Sequence, residues 1–473
     1  MLAFDTETHL IGPGEVAPAM VCLSLARGPT DYGLFAGGTF LHWNTPIPWK
    51  PTEYMEWFMS AAVVDLNGEE FLSEQFLSED MLIGHNMPFD MGVIANHWPG
   101  LHKHIWEAYE RDAVRDTGIR AQLRAIKLDH FKYDPAIRQK PSFSLDELSQ
   151  IHLDRKLDKS SWRLRYKELE HIPVTAWPAG AVHYAVADAV TTLDVWEKLE
   201  EELPGGYPDE WLQNRAAWGL HLASAWGLET DQEAVAKLTE ELKVVVERND
   251  NRLKELGLMR ENGVRNMQAI KDAVEEAFAL LGEDPPLTKT GGISTDEDAR
   301  ERVKGLSEKV DAYHASLGNK KILNEFIPTL KPLVNPRFYP LVRSGRTSCR
   351  NPNLQQPPTK GGVRECFVPR EGHVYIQADI SRAEMCAIAQ ICYIRFGFSE
   401  LGEMLKRGID PHTMVAARLC HVSYETARVI LTNPEHSRYI ELVGARQLGK
   451  IANFGLWGGM GAEAFVGHCR RNG

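Results

Sequence analysis

The chain has 473 residues, 43% of them hydrophobic and 25% charged, the balance of a soluble globular protein too long for one ordinary core, so two or more domains are expected. It contains no run of about 18 apolar residues and no basic N-terminal stretch followed by an apolar one, which excludes a membrane span and a signal peptide and leaves the cytoplasm as the default. The net charge of −12 divides unevenly, with residues 331–473 at +8 and the first 330 at −20, an asymmetry that points to a polyanion partner for the C-terminal part. The seven cysteines include no CxxC pair and no zinc-like spacing, and read as reduced thiols, mostly small buried hydrophobes.

In chain order, the apolar run 2–4 predicts a buried strand that continues through Asp5 and Glu7, whose side chains alternation puts on one face. A second strand is predicted at 21–25 and a third ending at 82–86, after which Pro88 opens a helix bearing Asp90. Phe89 is assigned to packing. Helical periodicity runs through 113–128, 145–152 and 182–199, and on the last of these Tyr184 stands one turn before Asp188. Asp116 reads either as the N-cap of its helical run or as a residue that supports a metal site from behind. Strands first, with helices interleaved, predict a mixed α/β domain. Leu-Pro-Gly-Gly-Tyr-Pro at 203–208 breaks the last helix and marks the domain boundary. Beyond it, 231–256 is a long charged helix, 284–292 a loop and 295–330 helical again, with no repeat or low-complexity tract.

Asp5, Glu7, Asp90 and Asp188 together offer four carboxylates from three distant segments. Cleaving a phosphodiester by the two-metal route needs such a set, converging on hard cations such as Mg²⁺ or Mn²⁺ about 3.5–4 Å apart. Each motif alone has a plainer reading, Asp-x-Glu as a turn or cap and Tyr-x-x-x-Asp as a chance helical pattern. Arg446, Lys450 and Phe454 recur at four-residue steps, which on a helix lines two cations and an aromatic plane along one face. That face suits a triphosphate with a base attached, or it is a solvated basic face. Asp379 ends an apolar run at 375–379 that predicts a strand, followed by a helical stretch.

Three segments, Ser344 to Gln355, Tyr375 to Glu384 and Arg446 to Gly455, resemble in this order the motifs of family A DNA polymerases. Phe4-Asp5-Thr6-Glu7, Asn86-Met87-Pro88-Phe89-Asp90 and Tyr184-Ala185-Val186-Ala187-Asp188 resemble the three motifs of a DEDD-type 3′→5′ proofreading exonuclease. The resemblance implies α/β and α+β multidomain architecture. It consists of an RNase H-like exonuclease domain over 1–203, a helical thumb-like region over 209–335, and a partial palm and fingers over 336–473. It implies two Mg²⁺ or Mn²⁺ ions per active site, with Asp5, Glu7, Asp90 and Asp188 as ligands for hydrolysis, Tyr184 positioning the attacking water, and Asp379 as a ligand for synthesis. Glu384 is then the residue that packs against the incoming sugar and excludes a 2′-hydroxyl. Arg446 and Lys450 hold the triphosphate, with Lys450 the proton donor to pyrophosphate, and Phe454 stacks near the base. Lys360 and His412 fall at phosphate-proximal positions, His412 reading equally as part of a helix N-terminus. Arg346, Asn353 and Gln355 match the minor-groove contacts to duplex DNA. The implied partners are primer-template DNA, single-stranded 3′ ends and dNTPs.

Two departures stand out. Gly458 replaces the tyrosine four residues after Phe454, loosening the helix end, as in some phage-encoded members. The sequence also contains no His-Asp-Glu type motif to supply a second palm carboxylate, so a truncated product, or half of a split polymerase completed by a second polypeptide, is expected. The alternatives are a stand-alone 3′→5′ exonuclease whose C-terminal part grips DNA, and a non-catalytic DNA-binding subunit.

Overall fold

The computed structural model describes residues 1–471 apart from 12–14, 16, 133, 136–138, 158–161, 289, 359–360 and 456–457, so Lys360 lies outside the described residues. The chain forms two compact units, residues 1–238 with 324–370 and residues 239–323 with 371–473.

The first unit is built on a seven-stranded mixed sheet. Its strands are β1 (Leu2–Thr8), β2 (Met20–Gly28), β3 (Asp31–Ala36), β4 (Thr39–Trp43), β5 (Ala62–Asp65), β6 (Leu82–Gly84) and β7 (Val114–Asp116), in the order β5-β4-β3-β2-β1-β6-β7. The strands β5 to β1 pair antiparallel, while β1, β6 and β7 run parallel. Gly37 and Gly38, with φ of 55° and 80°, make the two-residue turn from β3 to β4, where both central residues need positive φ. Alternation along β1 divides its residues between two cores. Ala3 packs with Cys22, Ala26 and the helix Ala179–Glu202. Leu2 and Phe4 pack with Leu23, Leu25 and the helices Met87–His97 and His102–Glu110.

The predicted strands at 2–7, 21–25 and 82–86 and the helices at 145–152 and 182–199 are present, within a few residues at their ends. Residues 114–116 differ from expectation. They form β7, because parallel pairing with β6 satisfies their backbone, and the helix Thr117–Lys127 starts only after Asp116. The helix Ala179–Glu202 ends where the Pro-Gly segment predicts, but the unit does not. Arg120, 2% exposed, bonds through Nε to both carboxylate oxygens of Glu210 at 3.0 Å, and Trp218 is fully buried against the same core. The helix Glu210–Trp226 therefore belongs to the sheet unit. Two further pairings complete this unit. In one, β8 (Leu228–Thr230) lies between β9 (Leu333–Val334) and β12 (Phe367–Val368); in the other, β10 (Arg337–Tyr339) pairs with β11 (Ser348–Arg350).

In the second unit, the helix Met267–Leu281 buries Ile270, Ala273, Val274, Ala277 and Phe278, an i, i+3, i+4, i+7, i+8 stripe that makes it amphipathic. The predicted helix over 295–330 is broken into Glu297–Arg302, Glu308–Lys321 and short turns, with Ser307 capping the second piece. A separate core of Ala416, Ala417, Ala427, Ile430, Leu442 and Ala445 joins the helices Pro411–Leu419, Tyr424–Leu431 and Tyr439–Gly455. The strand predicted at 375–379 is absent. The segment is irregular and pairs with no strand among the described residues, leaving Ile376 88% exposed, since an extended segment becomes a strand only with a neighbour for its backbone groups. Among the described residues no helix is long and apolar enough to cross a membrane.

Candidate active sites

Asp5 and Glu7 lie on β1 opposite Ser24 and Cys22 of β2, on the face that Ala3 turns toward the helix Ala179–Glu202. A bulge directly after Glu7 shifts the pairing, an irregularity common beside functional sites. Asp188 comes from that helix, and one carboxylate oxygen from each of Asp5, Glu7 and Asp188 lies within 4.8 Å of the others. Glu7 and Asp188 are each only 8% exposed. Three carboxylates this close repel one another in a half-buried setting, a cost that a bound cation removes, and an all-oxygen donor set suits a hard divalent ion.

Around this cluster the neutral acids stay protonated. Burial, followed by the charges of Asp188, Glu7 and Asp5, pushes the Tyr184 phenol well above its usual range. Burial with Glu7 and Asp5 does the same to the Cys22 thiol, and burial with Glu7 to the Tyr166 phenol. Tyr184 is thus a hydrogen-bonding phenol one turn from Asp188, not a phenolate. With the water-positioning role that the sequence resemblance implies, its replacement by phenylalanine is expected to slow removal of nucleotides from a DNA 3′ end by on the order of tenfold to a hundredfold with an unchanged melting temperature; an unaltered rate contradicts that role.

Asp90 does not join the other three carboxylates. Its Oδ1 accepts from the Thr6 backbone N–H at 2.9 Å and the Thr6 hydroxyl at 2.6 Å, and Thr6 points to the opposite face of β1 from Asp5 and Glu7. Of the expected four-carboxylate set, three lie within 4.8 Å of one another and Asp90 stands outside that trio, its Oδ1 held by Thr6. Burial, opposed by the Thr6 bonds and reinforced by Asp116, raises Asp90 from 3.8 to about 7. An acid whose pKa is higher folded than unfolded contributes stability that is complete below about pH 4 and is lost as pH rises toward about 7. In EDTA, the melting temperature of Asp90→Asn is expected to be flatter than wild type across that window; identical slopes contradict this assignment.

Asp116 is an N-cap: Oδ1 accepts from Gly118 at 2.8 Å and Ile119 at 3.1 Å, while Oδ2 takes the Met87 N–H at 2.8 Å. Phe89 packs against the core and also lines a cavity of about 1320 Å³ in the first unit, together with His85, Asn86, Arg337, Phe338 and Tyr339. In the same unit, Arg346 is exposed. Gln355 bonds Thr347 Oγ1 at 2.7 Å through its side chain, and its backbone N–H donates to Asn353 Oδ1 at 3.2 Å.

In the second unit, Arg446, Lys450 and Phe454 share the helix Tyr439–Gly455, so their four-residue spacing lines one face. His412 lies against this face, its ring 5.2 Å from Phe454 and its Nδ1 3.1 Å from Asn453 Nδ2. Burial holds its imidazole below the usual range, so it is neutral near pH 7. His412 stands in the first turn of the helix Pro411–Leu419, as its reading as part of a helix N-terminus expects. The side chains of Asp379 and Glu384 are exposed, Glu384 in the first turn of the helix Ala383–Phe396. Gly458 donates its N–H to Phe454 O at 3.2 Å, closing the helix end in a turn. Sequence reasoning passed over Asp410, which ion-pairs with Arg446 at 2.8 Å; its signal is an Asp directly before a helix-opening Pro.

Residues 232–469 match the family model described as DNA polymerase family A, and residues 62–204 match one described as 3′-5′ exonuclease. DNA polymerase I of Chloroflexus aurantiacus is 27% identical over 264 residues, covering 50% of this chain and 27% of that protein. DNA polymerase I of Geobacillus stearothermophilus is 30% identical over 206 residues, covering 40% of this chain and 22% of that protein. The chain thus spans about a quarter of the length of the curated relatives it matches. A solved structure, the POL domain of Pol1 from M. smegmatis in complex with DNA primer-template and dNTP, superposes with a TM-score of 0.60 at 18% identity. It covers 99% of this chain and 69% of that one, and the likeness is one of fold. With half its length matched by the family's own model, the chain belongs to DNA polymerase family A, and a 3′-5′ exonuclease domain precedes its polymerase region.

Proposed function

We propose that this chain acts in template-directed DNA synthesis and removes nucleotides from DNA 3′ ends, the hydrolysis taking place at Asp5, Glu7 and Asp188. The observation that carries the reading is the convergence of these three carboxylates within 4.8 Å, in a chain of this family. They would hold Mg²⁺ or Mn²⁺, which when bound supplies an activated water and steadies the departing oxygen. Tyr184 keeps its phenol proton and orients the water. Asp90 steadies the end of β1 through Thr6.

For synthesis, Arg346, Asn353 and Gln355 meet the minor groove of primer-template DNA, where acceptors common to all base pairs allow fit to be sensed without reading sequence. Arg446 and Lys450 hold the dNTP triphosphate, with His412 near it and Phe454 against the base. Lys450 protonates the leaving pyrophosphate, Asp379 would hold a metal ion and Glu384 excludes a 2′-hydroxyl. The test is a gel assay of the 473-residue chain on a 5′-labelled primer-template with Mg²⁺, with and without dNTPs. Shortening without dNTPs and extension with them supports both activities. Shortening that dNTPs do not reverse leaves exonuclease alone, and an unchanged primer contradicts the proposal.

A further inference from the structure

Arg446 is held before any ligand arrives. Its Nε and Nη2 donate to Asp410 Oδ2 at 3.0 and 2.8 Å, and Nε also reaches Thr413 Oγ1 at 3.2 Å. Asp410 is itself fixed on several sides. Its Oδ1 accepts from the His412 N–H at 3.1 Å, its Oδ2 from the Thr413 hydroxyl at 2.7 Å, and its own N–H donates to Tyr424 Oη at 2.9 Å. Burial alone would raise the Asp410 carboxyl, but the bonds from Thr413 and Arg446 outweigh it and hold the group below its usual range, so it is an anion whenever the protein is folded near neutral pH. One edge of the guanidinium is therefore committed, and Nη1 takes no partner among the described residues. Lys450 stands one helical turn further along.

A free arginine loses several rotatable bonds when it grips a phosphate, and a carboxylate that fixes the guanidinium beforehand removes that cost. Asp410 also cancels part of the positive charge on this face, so geometry rather than charge density becomes what the site offers a polyphosphate. We infer that Asp410 is a positioning residue for the triphosphate. It clamps the Nε–Nη2 edge of Arg446 so that Nη1 faces the phosphates beside Lys450. This rests on the nucleotide-site reading above.

The test is equilibrium binding of dTTP to the full chain, for wild type, Asp410→Asn, Asp410→Ser, Arg446→Ala and the Asp410→Asn/Arg446→Ala double variant. Asn and Ser both keep an oxygen for the helix cap and lose the ion pair, so a purely structural role is rescued by both. Thermal melting of each variant accompanies the titrations. The expected result is dTTP binding weakened about tenfold by either Asp410 variant, with the double variant no weaker than Arg446→Ala alone. Wild-type affinity in Asp410→Asn and Asp410→Ser overturns the inference while the nucleotide site stands. A double variant weaker than Arg446→Ala by the full Asp410→Asn factor does the same. No dTTP binding by wild type, or an Arg446→Ala variant that binds as wild type, overturns the nucleotide-site reading and the inference with it.

Discussion

Replacing Asp188 by alanine is expected to lower the rate of nucleotide removal from a single-stranded DNA 3′ end by at least about a thousandfold, the scale of losing charge stabilisation at a reacting phosphate. The same substitution removes one of three mutually repelling carboxylates. In EDTA the variant should therefore melt no lower than wild type, and added Mg²⁺ should raise the wild-type melting temperature more than that of the variant. Loss of activity together with a lower melting temperature in EDTA would mark Asp188 as a structural residue. Loss without it assigns Asp188 to metal binding.

The second large effect is on stability. Gly449 lies where the helix Tyr439–Gly455 crosses Pro411–Leu419, and a Cβ there would sit 2.7 Å from the His412 carbonyl oxygen and 3.2 Å from Val415 Cβ. Backbone cannot withdraw as a flexible side chain can, so Gly449→Val must push the two helices apart. The expected cost is about 3 kcal/mol, at the upper end for overpacking. Hydrogen exchange of amides in Tyr439–Gly455 should lose protection by about a hundredfold, the same energy expressed as an opening equilibrium. Wild-type protection in the variant would mean that the helices are not in contact at Gly449. Because Arg446 and Lys450 flank this crossing, dTTP binding should weaken in parallel.

Much of the carboxylate site can be read from local pattern. Alternation puts Asp5 and Glu7 on one face of β1, and helical spacing puts Tyr184 and Asp188 on another shared face. Bringing the two faces together depends on which side of the sheet the helix packs, which no local pattern states. Asp90 shows the consequence. Its helix is correctly expected after Pro88, yet that helix packs on the Leu2 and Phe4 face, where Thr6 rather than Glu7 meets its carboxylate.

A short strand can be missed for the same reason. Val114–Asp116 is three residues long and becomes a strand only because Leu82–Gly84 lies beside it. The segment 375–379 fails in the opposite sense, apolar enough for a strand but without a pairing partner among the described residues. In the basic C-terminal part, the spacing of Arg446, Lys450 and Phe454 was legible because one helix carries all three. Asp410 was not, because its link to Arg446 spans 36 positions and arises only when two helices cross.

The most direct test of the account is anomalous diffraction from crystals of the chain soaked in Mn²⁺. It predicts metal density bound by carboxylate oxygens of Asp5, Glu7 and Asp188, absent from crystals of Asp188→Ala. Mn²⁺ bound elsewhere with no density at these three residues would contradict it.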